Sequence, residues 1–309
     1  MTNSICYFAK EPGTGVRSDL DKIKKKYDDI MVIDCLNAYG DWYRKKGYNC
    51  IDSKLFLKLG KDDMHFDYAV GNPPFQENGH KAKTSSLWKK FLDKSWELSD
   101  NVSLIVPASF SSPTKLFGKY KNNLSSIDFT IDKKFKGVGS TFSVISLTKE
   151  EQVKCKVKTH NGTYIIDINE WDCIPKDLDD DIMSLIDKYF ISQDYIWKVG
   201  YEYDQRKDCI VDDGKINILH STKTLKTNKD HPNNHLIRVF CTITNGTKFE
   251  VCYPGTGLSQ NNIWSKCNTL EDAVKLKDYL NQSDIQRLLK SFQFSNMNYY
   301  QIINKLNMN

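Results

Sequence analysis

The chain has 309 residues, of which 39% are hydrophobic and 27% are charged, a composition typical of a folded globular protein. A chain of this length buries one large hydrophobic core or two smaller ones. No apolar run approaches the roughly 18 residues that a membrane-spanning helix requires. The net charge of +5 permits a nucleic-acid partner without requiring one. These properties exclude a disordered chain and predict a protein without a membrane partner.

The nine cysteines stand singly along the chain, and no Cys-x-x-Cys pair occurs. Because zinc ligands usually come in closely spaced pairs, we expect no metal site. An odd number of scattered cysteines favours reduced thiols. The first ten residues contain no basic segment followed by a long apolar one, so no secretory signal is indicated. Together these features predict a cytoplasmic protein.

Short apolar strands alternate with amphipathic helical segments over residues 1–150. This alternation is typical of a parallel sheet covered by helices, and it predicts a doubly wound α/β domain. The predicted strands are residues 4–9, 30–34, 50–52, 66–71 and 102–107, followed by a closing hairpin of residues 127–131 and 141–147 joined by Gly137 and Gly139. The predicted helices are residues 19–27, 38–47 and 87–98.

The regular alternation stops near residue 150, and the remaining chain combines short strands, polar loops and late helices. Residues 178–190 and 270–280 are predicted as helices. Residues 237–243 and 249–253 are predicted to form a hairpin around Asn245-Gly246, a dipeptide that favours tight turns. We therefore expect a second, α+β domain over residues 151–309.

The most informative segment is the predicted strand of residues 66–71, which ends at Asn72-Pro73-Pro74-Phe75. The two prolines cannot donate backbone hydrogen bonds and cannot continue into a helix, so the strand must end in a rigid, extended turn. This turn offers an amide, a backbone carbonyl and an aromatic ring. Together they can stack on, and accept hydrogen bonds from, a planar group with an exocyclic amine. The alternative is a Pro-Pro turn that only ends a strand.

Two further features precede this turn. Glu11, Gly13 and Gly15 lie in a turn after the first predicted strand, where glycines let the backbone approach a ligand and the next helix offers its positive N-terminal end. Asp34 ends the second predicted strand, where an acid can accept hydrogen bonds from ribose hydroxyls. Asp52 ends the third predicted strand. An ordinary turn and surface aspartates are the alternatives when each feature is considered alone.

The Asn-Pro-Pro-Phe segment resembles the catalytic motif of the amino-methyltransferases, and the resemblance extends over residues 4–149. It includes the Val-Pro-Ala-Ser turn at residues 106–109 and the late hairpin that contains Phe142. The cofactor turn comes first, the Asn-Pro-Pro-Phe segment second, and a long region follows the last hairpin. This order resembles the N6-adenine DNA methyltransferases related to Eco57I-type modification enzymes, in which a C-terminal target-recognition domain follows the catalytic domain.

The resemblance implies a Rossmann-like, S-adenosylmethionine-dependent methyltransferase sheet followed by a DNA-binding recognition domain. It implies that the substrate is double-stranded DNA with a specific adenine-containing site, and that the protein acts in restriction-modification. The residue roles that it implies are catalysis by Asn72, Pro73, Pro74 and Phe75, cofactor binding by Glu11, Gly13, Gly15, Asp34 and Asp52, and packing beside the target base by Phe142.

Two other functions stay open at this point. RNA and protein-glutamine methyltransferases also use Asn-Pro-Pro-aromatic turns, although their extra domain more often lies upstream. A catalytically silent DNA-binding protein is the second alternative, because the turn around Gly13 is shorter than the family pattern. We expect no upstream helix of the kind that helps to hold the cofactor's methionine end, since the chain begins almost at the first predicted strand.

Overall fold

A computed structural model describes most of the chain, namely residues 3–9, 12–75, 87–135, 141–190, 197–199, 202–204, 210–220, 223–244, 246–294 and 297–307. The chain forms two compact units. The first contains Met1–Phe110, Leu116–Lys158 and Thr163–Trp171, and the second contains Ser111–Lys115, Thr159–Gly162 and Asp172–Asn309. The first unit extends beyond the predicted boundary at residue 150, because two further strands join its sheet.

Among the residues that the structure describes, a nine-stranded sheet forms the centre of the first unit. Its strands are β1 (Ser4–Ala9), β2 (Asp29–Asp34), β3 (Asn49–Asp52), β4 (Phe66–Gly71), β5 (Ser99–Pro107), β6 (Leu124–Asp128), β7 (Phe142–Thr148), β8 (Lys154–Lys158) and β9 (Thr163–Asp167). Their order across the sheet is β3-β2-β1-β4-β5-β7-β6-β8-β9. Strands β1 to β5 run parallel, and β7 runs antiparallel to both β5 and β6. The doubly wound α/β fold predicted from the sequence is confirmed.

Helices cover both faces of the parallel part of the sheet. In chain order they are α1 (Thr14–Ile23), α2 (Gly40–Lys45), α3 (Ser53–Phe56), α4 (Leu87–Leu98) and α5 (Lys115–Tyr120). On one face, Leu20 of α1 packs with Tyr7 and Val32 of the sheet. On the other face, the ring of Phe8 contacts those of Phe56 and Phe91, with centroids 5.2 and 5.7 Å away. Burial on both faces is expected for a parallel sheet, and it fixes the strand ends in space.

The predicted elements of the first unit agree with the structure to different degrees. Strand β4 and helix α4 have the predicted bounds. Helix α1 begins at Thr14 instead of residue 19, because Gly13 adopts the extended conformation of an N-cap and Gly15 fits within the first turn. The closing strands β6 and β7 pair antiparallel as predicted. The two glycines expected to join them, Gly137 and Gly139, lie outside the described residues.

The second unit is an α+β arrangement. Its strands are β10 (Lys198–Val199), β11 (Ile216–His220), β12 (Lys223–Thr227), β13 (Ile237–Thr242), β14 (Glu250–Cys252), β15 (Thr256–Leu258) and β16 (Asn262–Cys267), and its helices are α6 (Asp180–Tyr189), α7 (Leu270–Leu280), α8 (Ser283–Ser291) and α9 (Tyr300–Ile303). Two small sheets have the orders β10-β16-β13-β14 and β12-β11-β15. The predicted pairing is confirmed, since β13 pairs antiparallel with β14, while Asn245 of the predicted turn lies outside the described residues. Helix α7 matches its predicted bounds and begins with a capping box of Thr269 and Asp272.

An ion pair is buried within the second unit. Arg238 of β13 is fully buried and lies 2.7 Å from the carboxylate of Glu202. The same carboxylate accepts a hydrogen bond from the backbone N–H of Leu258, and Arg238 donates to the backbone carbonyl of Thr256. The ion pair and these hydrogen bonds offset much of the energetic cost of removing the two charges from water. The pair therefore ties β13 to β15 and to the segment that carries Glu202.

Candidate active site

Four neighbouring strands end at the same edge of the first sheet. Ala9 ends β1 and pairs with Asp34, the last residue of β2, while Asp34 pairs with Asp52, the last residue of β3. Gly71 ends β4, which pairs with β1 on the other side. The next residue is Asn72. The parallel register therefore brings together, at one edge, the predicted cofactor acids and the start of the predicted catalytic turn.

Gly71 has a backbone conformation that directs the chain into this turn. Its φ is +129°, and a Cβ atom at this position would lie 2.7 Å from the carbonyl oxygen of Phe8. Only glycine accommodates both the dihedral angle and the close approach. The sequence pattern predicts Gly71 only as the end of a strand and does not reveal this role. The sequence signal for this role was the presence of a glycine directly before Asn-Pro-Pro.

Asn72 carries a buried acceptor. Its side-chain Oδ1 is shielded from solvent and has no hydrogen-bond partner within the described chain. Its backbone carbonyl lies 4.0 Å from the sulfur of Cys35, which follows β2. Pro73 is buried, whereas Pro74 and Phe75 are half-buried. Four other side-chain amide oxygens of the described residues share this property, namely those of Asn122, Asn234, Gln260 and Asn262. That of Asn72 directly follows the end of β4, at the edge where the parallel strands end, and a ligand N–H can bind there.

Aromatic rings lie beside the turn. The ring of Phe75 lies 5.0 Å from that of Phe142, at the start of β7, and the ring of Phe135 lies 4.5 Å from that of Phe142. Phe142 pairs with Pro107 at the end of β5. The structure thus places the ring of Phe142 against Phe75 of the predicted catalytic turn. Phe135 is absent from the predicted site, although an aromatic residue shortly before a glycine-containing loop was a usable signal.

Asp34 is almost fully buried and holds the loop that follows β2. Its Oδ1 accepts a hydrogen bond from the backbone N–H of Leu36 at 3.1 Å, and its Oδ2 accepts one from the backbone N–H of Tyr39 at 2.6 Å. A carboxylate offers about four acceptor positions, so two such bonds leave capacity for a ligand. Asp34 therefore has a structural role that its place in the sequence does not indicate.

Asp52 is exposed, and its carboxylate accepts a hydrogen bond from the backbone N–H of Leu55 at 2.8 Å as the N-cap of α3. Asp34 and Asp52 both line an open cleft of about 380 Å³. The other residues that line it are Asn37, Ala38, Gly40, Asp41, Arg44 and Lys54. The two predicted cofactor acids therefore share one cavity.

The charge of Asp34 affects its neighbours. Burial, followed by the nearby carboxylate of Asp34, raises the pKa of the Cys50 thiol to about 11. The same two causes raise the pKa of Tyr43. Both groups therefore stay neutral near pH 7. Burial disfavours every charged form, whereas the negative charge of Asp34 favours nearby groups that donate hydrogen bonds.

The glycine turn lies at the beginning of α1. Gly13 is the N-cap, it has no side chain to bond the first N–H groups, and no acidic residue follows in the first turn. The N-terminal N–H groups and the positive end of the helix dipole are thus available to an anionic group. Gly15 lies in the first turn of the helix. Glu11, the remaining predicted cofactor residue, lies outside the described residues.

The doubly wound sheet, with β7 inserted antiparallel between β5 and β6, has the Rossmann-like architecture of the methyltransferases. Residues 13–135 match the family model described as Eco57I restriction-modification methylase. The match covers less than half of the chain, and it confirms the resemblance to this family that was predicted from the sequence.

Several solved structures are similar to the chain at low identity. The type IIG restriction endonuclease BpuSI is 11% identical, with 98% of this chain and 55% of that chain covered and a TM-score of 0.40. The type IIL restriction-modification enzyme MmeI, solved in complex with DNA, is 9% identical, with 80% and 51% covered and a TM-score of 0.49. A protein from Thermoplasma acidophilum is 16% identical, with 48% and 79% covered and a TM-score of 0.33.

The chain thus spans about half the length of the two restriction-modification enzymes. No curated protein sequence matches it significantly. Among the helices that the structure describes, none is long and apolar enough to cross a membrane.

Proposed function

We propose that the protein is a site-specific DNA methyltransferase that transfers a methyl group from S-adenosylmethionine to the N6 amine of adenine in double-stranded DNA. The observation that carries this proposal is the buried, unpartnered Oδ1 of Asn72 in the same short turn as Phe75, whose ring contacts that of Phe142. An acceptor next to an aromatic ring at a sheet edge fits a planar base with an exocyclic amine. The methylase family of residues 13–135 supports the same reaction class.

The residues of the cleft fit the proposed cofactor. When bound, S-adenosylmethionine would supply a methyl group attached to a positively charged sulfur. Asp34 and Asp52 offer carboxylate acceptors for ribose hydroxyls and for the adenine amine of the cofactor. The free N–H groups at the start of α1 suit its carboxylate. Glu11, Gly13 and Gly15 complete the proposed cofactor-binding set.

The target adenine must leave the duplex before it reaches the turn. Rotating a base out of the stack costs a few kcal/mol. Stacking on an aromatic ring recovers about 1–3 kcal/mol, and Phe75 offers such a ring. Phe142 packs against Phe75 and is supported in turn by Phe135, so the stacking surface is held in place before DNA binds.

Asn72 and Pro73 would act on the amine itself. The lone pair of the N6 amine is delocalised into the purine, so the nitrogen is a poor nucleophile. The Oδ1 of Asn72 and the backbone carbonyl of Pro73 would each accept a hydrogen bond from one N6–H group. These two hydrogen bonds favour a tetrahedral nitrogen with an available lone pair. Pro74 keeps the turn extended. Because these acceptors are fixed by the fold, little rearrangement is needed during the reaction.

The second unit is proposed to recognise the DNA sequence around the target adenine. It follows the methylase domain, as the recognition domain does in the resembling enzymes. The intact chain tests this role: DNA fragments that share an adenine but differ in flanking sequence should be methylated at very different rates. Equal methylation of all fragments would contradict a recognition role.

Two measurements on the intact protein test the proposal. Isothermal titration should show binding of S-adenosylmethionine, and sequencing of modified bases should find N6-methyladenine at one recurrent site in DNA from cells that express the protein. Methylated RNA or protein with unmodified DNA would favour the other amino-methyltransferase substrates. Cofactor binding without any methylated product, or no cofactor binding with retained DNA binding, would favour the silent DNA-binding alternative.

A further inference from the structure

Asn37 lies in the loop between β2 and α2 and has an unusual backbone conformation. Its φ is +54°, and it is the one non-glycine residue with positive φ in the described part of the chain. Asparagine tolerates this left-handed region better than most residues. The residue also lines the cleft that contains Asp34 and Asp52.

The side-chain oxygen of Asn37 bridges to the start of helix α3. Its Oδ1 accepts two hydrogen bonds from Ser53, one from the backbone N–H and one from the hydroxyl, both at 2.9 Å. Ser53 is buried and directly follows Asp52 at the first position of α3. One amide oxygen therefore joins the loop after β2 to the residue beside the second acid.

The same loop is held from its other side by Asp34, which accepts hydrogen bonds from the N–H groups of Leu36 and Tyr39. Asn37 lies between these two donors. The loop is thus fixed to Asp34 at both flanks and to Ser53 at its centre. Each carboxylate already accepts hydrogen bonds from nearby backbone. The pairing of β2 with β3 sets the spacing of the two acids at the strand ends, and the bridge from Asn37 extends this connection beyond the strands, from the loop after β2 to the start of α3.

We propose that Asn37 is a positioning residue that holds the loops of Asp34 and Asp52 at the spacing needed to bind the cofactor's adenosine. This inference rests on the proposed function of the cleft and assigns to it a residue outside the predicted site. Asn37 acts through Ser53 and the loop backbone, and it takes no part in methyl transfer.

Two substitutions distinguish the effect of the hydrogen bonds that Asn37 accepts from the effect of its backbone conformation. Asn37→Gly keeps the positive φ without strain and removes the acceptor oxygen. Asn37→Asp keeps an acceptor oxygen and tolerates positive φ. We expect Asn37→Gly to weaken S-adenosylmethionine binding on the order of tenfold, the effect of losing two modest hydrogen bonds. Asn37→Asp should bind the cofactor nearly as the wild type does.

Asn123→Gly is the matched control. The side chain of Asn123 also bridges separate segments, since it donates to the backbone carbonyls of Thr148 and Lys149, but it does not line the cleft. This substitution should lower the stability of the protein without changing cofactor affinity.

Three readouts are needed: isothermal titration with S-adenosylmethionine, steady-state kinetics, and hydrogen exchange of the Ser53 amide in the protein without ligand. For Asn37→Gly we expect faster exchange at Ser53 and a raised KM for the cofactor, with kcat at saturating cofactor unchanged. Wild-type affinity in Asn37→Gly, or an equal loss in Asn123→Gly, would overturn the inference. Failure of the wild type itself to bind the cofactor would overturn the proposed function as well, so the wild-type titration distinguishes the two failures.

Discussion

The side chain of Asn72 is held in a position that is unfavourable without a ligand. A buried polar atom without a partner costs roughly 1–3 kcal/mol relative to a satisfied one. Here the atom is Oδ1 of Asn72, which directly precedes Pro73 and Pro74. A ligand amine would remove this cost upon binding.

Replacing Asn72 should separate binding from turnover. We expect Asn72→Ala to lower kcat for methyl transfer by roughly 10²–10³-fold or more, because a fixed acceptor at the reacting amine is lost. Cofactor affinity should stay near the wild-type value, because Asn72 does not line the acid-containing cleft. Kinetics with radiolabelled cofactor and a parallel isothermal titration would measure both. Turnover near the wild-type level would contradict the role proposed for Asn72.

Replacing Gly71 should disturb the same turn through the backbone. Gly71→Ala places a Cβ 2.7 Å from the Phe8 carbonyl oxygen at a φ of +129°. We expect it to lower the free energy of unfolding by about 1–3 kcal/mol and to reduce turnover. Gly118→Ala is the control, since Gly118 lies in α5 and a Cβ atom there would meet no neighbouring atom within 4 Å.

Urea denaturation of both variants would measure the difference. Alanine at position 118 should stabilise the protein by about 0.5–1 kcal/mol, because glycine is unfavourable inside a helix. Equal stability of the two variants would show that the conformation of Gly71 is not constrained in the way described.

At the scale of elements, the ends of the strands carry the candidate site, and the two acids differ in what else they hold. Asp34 is buried and organises the loop after β2, whereas Asp52 is exposed and caps the short helix α3. Both line the same cleft. Loss of either acid should therefore weaken cofactor binding, but the consequences for folding should differ.

Asp34→Ala should destabilise the protein much more than Asp52→Ala. The first change leaves the N–H groups of Leu36 and Tyr39 without their acceptor, at a cost of about 2–4 kcal/mol. The second change removes an N-cap, at a cost of about 1 kcal/mol. Thermal denaturation in the absence of cofactor would measure both. Similar losses in the two variants would show that the bonds of Asp34 contribute little to the fold.

The sequence predicted elements well where the local signal was complete. Strand β4 is an apolar run stopped by prolines, and α4 has a clear apolar face, so both bounds were correct. The start of α1 was placed too late because Gly13 and Gly15 favour turns when the local sequence is considered alone. The close approach of Gly71 to Phe8 and the unpartnered oxygen of Asn72 both arise in the folded chain, and no local pattern reveals either of them.

At the scale of the whole molecule, both units contain buried polar groups that can make folding sensitive to pH. His220 is a buried histidine of the second unit, with its Nδ1 2.8 Å from the hydroxyl of Ser259. Burial, and then the nearby charge of Lys223, lowers its pKa from the usual value of 6.5. The folded protein therefore prefers the neutral ring.

We expect this histidine to destabilise the fold in acid. Because the folded pKa lies below the unfolded one, its contribution is present above pH 6.5 and is lost as the pH falls through that value toward the folded pKa. One proton changes the free energy of unfolding by less than about 1.4 kcal/mol per pH unit. Urea denaturation at several pH values should give a shallower dependence for His220→Gln than for the wild type. Parallel curves would contradict this expectation.

The path of the chain between the two units has a consequence for rearranging this protein. The chain passes from one unit to the other after Phe110, Lys115, Lys158, Gly162 and Trp171. Strands β8 and β9 come before the last of these points, and both belong to the nine-stranded sheet of the first unit. A natural or engineered exchange of the second unit would therefore succeed best with a junction near residue 171. A junction at residue 150 would exchange β8 and β9 together with the second unit. The sheet of the first unit would then lose its own last two strands.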